Sequence, residues 1–175
     1  MMDAYTLIKS LRAVRHFADR PVPDEVILRI LEAGRWTGSS KNTQPWHFIV
    51  IRKRETLERL AQCGIYASHL KGAAFAIGLV MEPGGRAEFD AGRCAQNLML
   101  AAWAHGLGSC IASMHKEEAA KAILGVPAEK RLPHVISFGY PSGQPQTTIE
   151  GQPRERVLAA IGRRPLAELV HWEQW

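Results

Sequence analysis

The sequence predicts one α+β domain, helices interleaved with at least three strands around one sheet, and three observations carry that expectation. Apolar residues recur at helical spacing in several segments, short apolar runs of strand length stand between them, and glycine or proline closes most of the segments. At 175 residues and 46% apolar, the chain is large enough to bury about 70% of its unfolded surface around one core. The simplest organisation is a single domain over 1–175, with 141–175 as a C-terminal arm.

Asp24 to Trp36, DEVILRILEAGRW, carries Val26, Ile27, Ile30 and Leu31 on one helical face, with Pro23 and Asp24 as start signals. His47 to Ile51 reads as a strand, and Glu55 to Gln62 as a second helix. Ala73 to Met81, AAFAIGLVM, has the length and composition of a buried strand. Phe89 to His105 is apolar or small on nearly every side after Cys94, which predicts a helix buried most of the way round and closed by Gly106. Lys116 to Leu124 before Gly125 is a further helix, Val135 to Tyr140 a strand, and Glu155 to Ile161 a short helix. Pro141 to Pro153, rich in proline and glycine, is the expected linker. There is no internal repeat and no low-complexity tract.

Cys63, Cys94 and Cys110 are odd in number and irregularly spaced, which argues against a disulfide framework and for a reducing compartment. Met1 to Lys9 has no continuous apolar stretch, and nothing approaches the roughly 18 apolar residues of a membrane span. The expectation is a cytoplasmic protein with no membrane partner. The net charge of +5 favours anionic partners. Its basic residues are scattered, at Arg12 and Arg15, at Arg52 to Arg54, and at Arg154, Arg156, Arg163 and Arg164, with no groove-reading motif beside them, so a small phosphorylated ligand is expected and nucleic acid is not.

Several motifs fail on spacing. Gly34 to Lys41 is not a phosphate loop, because its spacing differs and it follows a helix instead of a strand. Gly106-Leu107-Gly108-Ser109 lacks the third glycine of a dinucleotide fingerprint. His105, Cys110 and His115 match no zinc pattern. There is no G-x-S-x-G elbow, and the cysteines sit in apolar settings that suit structural thiols. No catalytic acid or base is assigned, and His47, His69 and His105 are expected to be structural or surface residues.

One stretch remains, Ser39 to Trp46, SSKNTQPW, running straight into the strand HFIVI. With Leu31 to Trp36 before it, it resembles the signature of the nitroreductase family. Further segments fall in that family's order: Arg12 to Phe17 with Pro21-Val22-Pro23, Gln96-Asn97-Leu98 with Ala101-Ala102, Gly106 to Ser109, Gly139-Tyr140-Pro141, Arg163 to Leu166, and His171-Trp172-Glu173. The resemblance covers almost the whole chain.

That resemblance implies a nitroreductase-like fold, a central, mostly antiparallel sheet flanked by helices, with the C-terminal tail crossing to a homodimer partner and the flavin sites at the interface. It implies an FMN-dependent oxidoreductase that takes a hydride from NADH or NADPH and passes electrons by ping-pong turnover to a small electron-poor acceptor, a nitroaromatic, quinone or flavin. Ser39, Ser40 and Asn42 are the implied ring and ribityl contacts, with capping of a turn as the other reading of Ser39 and Asn42; Gln44 serves either the flavin or the fold. Arg12, Ala13 and Arg15 with Arg163 or Arg164 occupy the implied phosphate site, and the turn Gly106 to Ala112, through Gly106, Leu107, Gly108 and Ser109, lies beside flavin N5. The chain departs from the family's Arg-Arg-Ser-x-Arg pattern, having Leu11-Arg12-Ala13-Val14-Arg15, and has Gly38 where proline is common. The eroded phosphate motif motivates an alternative, a flavin-binding dimer without turnover that acts as a cofactor store or sensor.

Overall fold

A computed structural model describes residues 3–84, 86–143 and 163–175. The chain divides into two units, Met1–Gly143 and Gln144–Trp175. In the first, the described helices are α1 (Ala4–Ser10), α2 (Asp24–Arg35), α3 (Arg54–Leu60), α4 (Ala87–Ala104) and α5 (Glu117–Leu124), and the described strands are β1 (Trp46–Ile51), β2 (Phe75–Met81), β3 (Gly108–Ser113) and β4 (Arg131–Gly139). The strands form one antiparallel sheet in the order β1-β2-β4-β3.

Strand alternation sends Phe75, Ile77 and Leu79 of β2 to one face, where they meet Ile27 and Ile30 of α2 and the α4 stripe Ala91, Cys94, Ala95, Leu98 and Ala102. Ala76 and Val80 face the other way, into a second cluster with Leu57 and Leu60 of α3, Leu70, Ala120 and Leu132. Every β2 residue is buried, as the apolar run predicts for a central strand covered on both faces.

Three sequence expectations change. α4 is buried along a stripe, not nearly all round, since after Cys94 Gln96 and Ala104 are exposed and Asn97, Met99, Leu100, Ala101 and Trp103 are only half-buried. The segment expected as a turn over Gly106 to Ala112 is a turn only at its start, and from Gly108 onward it is edge strand β3, paired residue for residue with β4. α1 is an additional helix, begun by the Asp3 carboxylate accepting from the Tyr5 and Thr6 amides and tied to α4 by the Trp103 indole donating to Ser10 Oγ at 2.9 Å. The helix expected over Glu155 to Ile161 lies outside the described residues. In the second unit, Leu166–Glu168 forms a 3-10 turn and the His171 and Trp175 rings stack.

Candidate functional site

The residues singled out in the sequence fall into two places in the first unit. The first is a corner at the start of β3. Ala13 forms a parallel bridge with Ser109, and the Val14 amide donates to the Ser109 carbonyl at 2.9 Å. Phe17 bridges Pro141, and the Ala18 amide donates to the Tyr140 carbonyl at 2.8 Å. Segment 13–18 therefore runs along the ends of β3 and β4. Two glycines make this approach possible: a Cβ on Gly108 would lie 2.5 Å from Val14 Cβ, and one on Gly139 would lie 2.9 Å from the Phe17 ring. Arg20 stacks over Tyr140 at 3.8 Å and holds the end of the segment down.

This corner brings Ala13 and Arg15 to Gly108 and Ser109, which are far apart in sequence. Arg15 lines a cavity of about 370 Å³ with His16, Phe17, Ser68, His69, Gly72 and Ser142. Ser109 is 1% exposed, and its hydroxyl oxygen has no hydrogen-bond partner among the described residues. The neighbouring positions do local work. Arg12 Nη1 donates to the carbonyls of Lys9 and Leu11 at 2.8 and 2.7 Å and caps the end of α1. The amides of Gly106 and Leu107 donate to Trp103 and Ala102 and close α4.

The second place is the loop before β1. Lys41, Asn42 and Gln44 all have positive φ, at 52°, 55° and 47°, a region that costs most L-residues about 1–2 kcal/mol each. Ser39 holds the loop's shape, its Oγ accepting from the Gln44 amide at 2.9 Å and its carbonyl from the Asn42 amide at 3.1 Å. The turn-forming role expected for Ser39 is thus present, while the Asn42 and Gln44 side chains are exposed and Trp46 is buried. Ser40, Lys41, Thr43 and Pro45 line a cavity of about 510 Å³ with Glu82, Arg86 and Asp90. At its edge the Glu82 carboxylate meets Lys130 and, at 2.9 Å, His47, and these two bonds, Lys130's first, hold its pKa below the usual range.

Strand register fixes how the two places relate. β1 begins opposite the end of β2, at Trp46 and Met81, whereas β3 begins opposite the end of β4, next to the start of β2 at Phe75. Loop and corner therefore occupy opposite edges and opposite ends of the sheet. Three strand spacings across and six residues along give a diagonal of about 25 Å.

Arg163 and Arg164 lie in the second unit, where the Arg164 guanidinium pairs with Glu168 at 3.2 Å. Cys63, Cys94 and Cys110 are free and buried; burial raises each thiol's pKa, that of Cys94 to about 11. His105 is exposed at the end of α4. His69 is buried beside Arg15, and no sequence signal marked it: a lone histidine between serine and leucine has the same appearance in any loop.

Antiparallel sheet and flanking helices together define an α+β protein with its two polar places at opposite edges of the sheet. The family profile described as "Nitroreductase family" matches residues 8–67 and 82–140, and the chain belongs to that family. A Methanothermobacter thermautotrophicus protein, provisionally named an NADH dehydrogenase/NAD(P)H nitroreductase, is 34% identical over 83% of this chain and 81% of its own. A Bacteroides thetaiotaomicron crystal structure with the same provisional name is 25% identical, covers both chains completely and superposes with a TM-score of 0.82. An FMN-dependent nitroreductase from Clostridium difficile, 24% identical over 97% of this chain and 98% of its own, shares the fold with a TM-score of 0.81.

Proposed function

We propose that this protein is an FMN-dependent oxidoreductase that takes a hydride from NADH or NADPH and reduces a small electron-poor acceptor, such as a nitroaromatic, quinone or flavin, by ping-pong turnover. Family membership and the NAD(P)H in its relative's name support the class. The observation that carries it to particular residues is the corner, where the bridge between Ala13 and Ser109 fixes the segment that sets Arg15 in a cavity lined also by Ser68, His69 and Ser142. A cation fixed in a cavity edged by polar side chains suits a ligand rich in oxygen acceptors, and FMN fits that description.

Bound FMN supplies the redox chemistry, accepting a hydride from one substrate and giving electrons to the next. The chain's part is to hold it. Arg15 neutralises anionic oxygens, Ser109 completes a polar contact, and Gly108 lets segment 13–18 lie close enough to close the wall. Arg12 Nη1 serves the carbonyls at the end of α1, so Arg15 is the principal phosphate cation. Ser39, Ser40, Asn42 and Gln44 contact the ring and ribityl chain. A diagonal of about 25 Å separates that loop from its own chain's corner, more than one flavin ring bridges, so each site takes its corner from one chain and its loop from another. The protein is accordingly a homodimer with two flavin sites at the interface.

The first test is the visible spectrum of the protein supplied with FMN, desalted, and treated anaerobically with NADH or NADPH. A retained flavin band that bleaches supports the proposal. A retained band that does not bleach favours the non-turnover store or sensor, and no retained band overturns both. Parallel initial-rate lines support ping-pong turnover, and intersecting lines count against it. The two-chain site is tested by mixing Arg15→Ala with Asn42→Ala. Mixed dimers carry one site with corner and loop both intact, so the mixture regains activity that neither variant has alone; no gain overturns the shared site.

A further inference from the structure

His69 is 5% exposed in the 3-10 segment Ser68–Gly72, and one of its ring nitrogens is accounted for while the other is not. Nδ1 lies 2.7 Å from Ser137 Oγ on β4, and Ser137 Oγ lies 3.2 Å from the Cys110 carbonyl oxygen on β3. Ser137 has one proton to give. Both contacts are hydrogen bonds only when that proton goes to Cys110 and Nδ1–H donates to Ser137. This tautomer leaves Nε2 as a bare lone pair, buried, without a partner among the described residues, in a side chain that lines the cavity with Arg15. Burial, and after it the nearby Arg15 charge, lowers the His69 pKa to about 4, which keeps the ring neutral near pH 7.

The cavity is thus lined by Arg15, whose guanidinium only donates, and by His69, whose buried Nε2 only accepts. A complementary ligand presents an oxygen acceptor with an N–H or O–H donor beside it. FMN has such a pairing at the end that Arg15 holds, ribityl hydroxyls next to the phosphate. We infer that His69 is a flavin-binding residue whose Nε2 accepts a hydrogen bond from an FMN donor adjacent to the oxygen held by Arg15. The inference rests on the FMN-binding reading above. It adds a contact that discriminates by hydrogen and not by charge, since Arg15 alone would take any anion, and Ser137 and Cys110 serve it by fixing the tautomer.

The test uses the wild-type protein labelled with 15N-histidine. Without FMN, Nε2 is expected to resonate as an unprotonated nitrogen and Nδ1 as a protonated one; adding FMN moves Nε2 toward the hydrogen-bonded position and leaves Nδ1 protonated. Repetition with 3-methyl-FMN checks the donor: the shift persists when a ribityl hydroxyl is the donor, and its disappearance would put ring N3–H there and overturn the phosphate role of Arg15. His69→Leu, checked by circular dichroism, is expected to weaken FMN binding about three- to tenfold by fluorescence titration, with partial recovery in His69→Gln, whose amide oxygen also accepts. A protonated Nε2 in the free protein, or FMN bound with Nε2 unmoved and unchanged affinity in His69→Leu, overturns the role of His69 alone. A wild-type protein that binds no FMN overturns the functional reading and this inference with it.

Discussion

The corner at β3 and the loop before β1 are both polar, yet they are built by opposite means. The corner depends on contacts between residues distant in sequence: Val14 lies against Gly108, Phe17 against Gly139, and His69 reaches Ser137 across 68 positions. The loop is made from its own backbone, with three left-handed residues in four positions and a serine bonded five residues ahead. Position in the corner is therefore guaranteed by the packed sheet, and shape in the loop by local strain. A site assembled from one of each gains a rigid wall and an adjustable clasp, and the two should fail differently when altered.

The largest effect is expected from overfilling the corner. In Gly108→Val the new side chain enters space held by Val14, whose nearest atoms would lie 2.5–2.7 Å from the added Cβ. Segment 13–18 must lift from β3 and take Arg15 with it. Urea unfolding should show a loss of about 3 kcal/mol, the upper end for overpacking, together with loss of retained FMN. Pairing Gly108→Ala with Val14→Gly should recover part of what Gly108→Ala alone loses, because the added Cβ and the Val14 side chain, its Cβ first, compete for one volume. If the double variant loses as much as the sum of the single ones, the corner is not held by that contact.

Acid should separate the two regions next. The His69 pKa of about 4 lies below the 6.5 of an unfolded histidine, so the unfolded chain takes the proton first as pH falls. Its stabilising contribution is complete above pH 6.5 and is lost between 6.5 and 4. The full shift corresponds to at most ~3 kcal/mol. His134, lowered chiefly by burial, acts in the same direction. Glu117, held below the usual carboxylate range first by its bond to Arg131, matters only in stronger acid. Denaturant midpoints from pH 6.5 to 4.5 should therefore fall in the wild type and fall less in His69→Gln. Equal slopes would mean that the ring is not buried neutral.

The same contrast explains what could be read from the sequence. α2 to α5 and strands β1, β2 and β4 were legible because apolar spacing and glycine stops are local signals. β3 was not: Gly-Ser-Cys-Ile-Ala-Ser has one β-branched residue, and its strand state comes from pairing with β4 and with Ala13. α1 has no buried residue and so shows no apolar stripe. Of the site, the loop and the Arg15 segment stood out by resemblance, while the turn of Arg12 toward α1 depended on where its guanidinium folds. His69 needed Ser137 and Cys110, which only the sheet brings to it.

The smallest expected effect belongs to the loop, and there stability and function should move in opposite directions. Gln44 holds a φ of 47°, which glycine adopts without steric cost. Relief of about 1–2 kcal/mol of strain in Gln44→Gly is offset by roughly 0.5–1 kcal/mol of added unfolded-state entropy, leaving a gain of about 0.5–1 kcal/mol in urea unfolding. FMN binding should weaken severalfold, since a loop released from its strained shape must be ordered again at each binding event. If stability and affinity rise together, the left-handed residues are incidental to the flavin and the loop is merely a turn before β1. If stability rises while affinity falls, the strain is held for binding, and the loop's shape is as much a part of the site as the packed corner opposite.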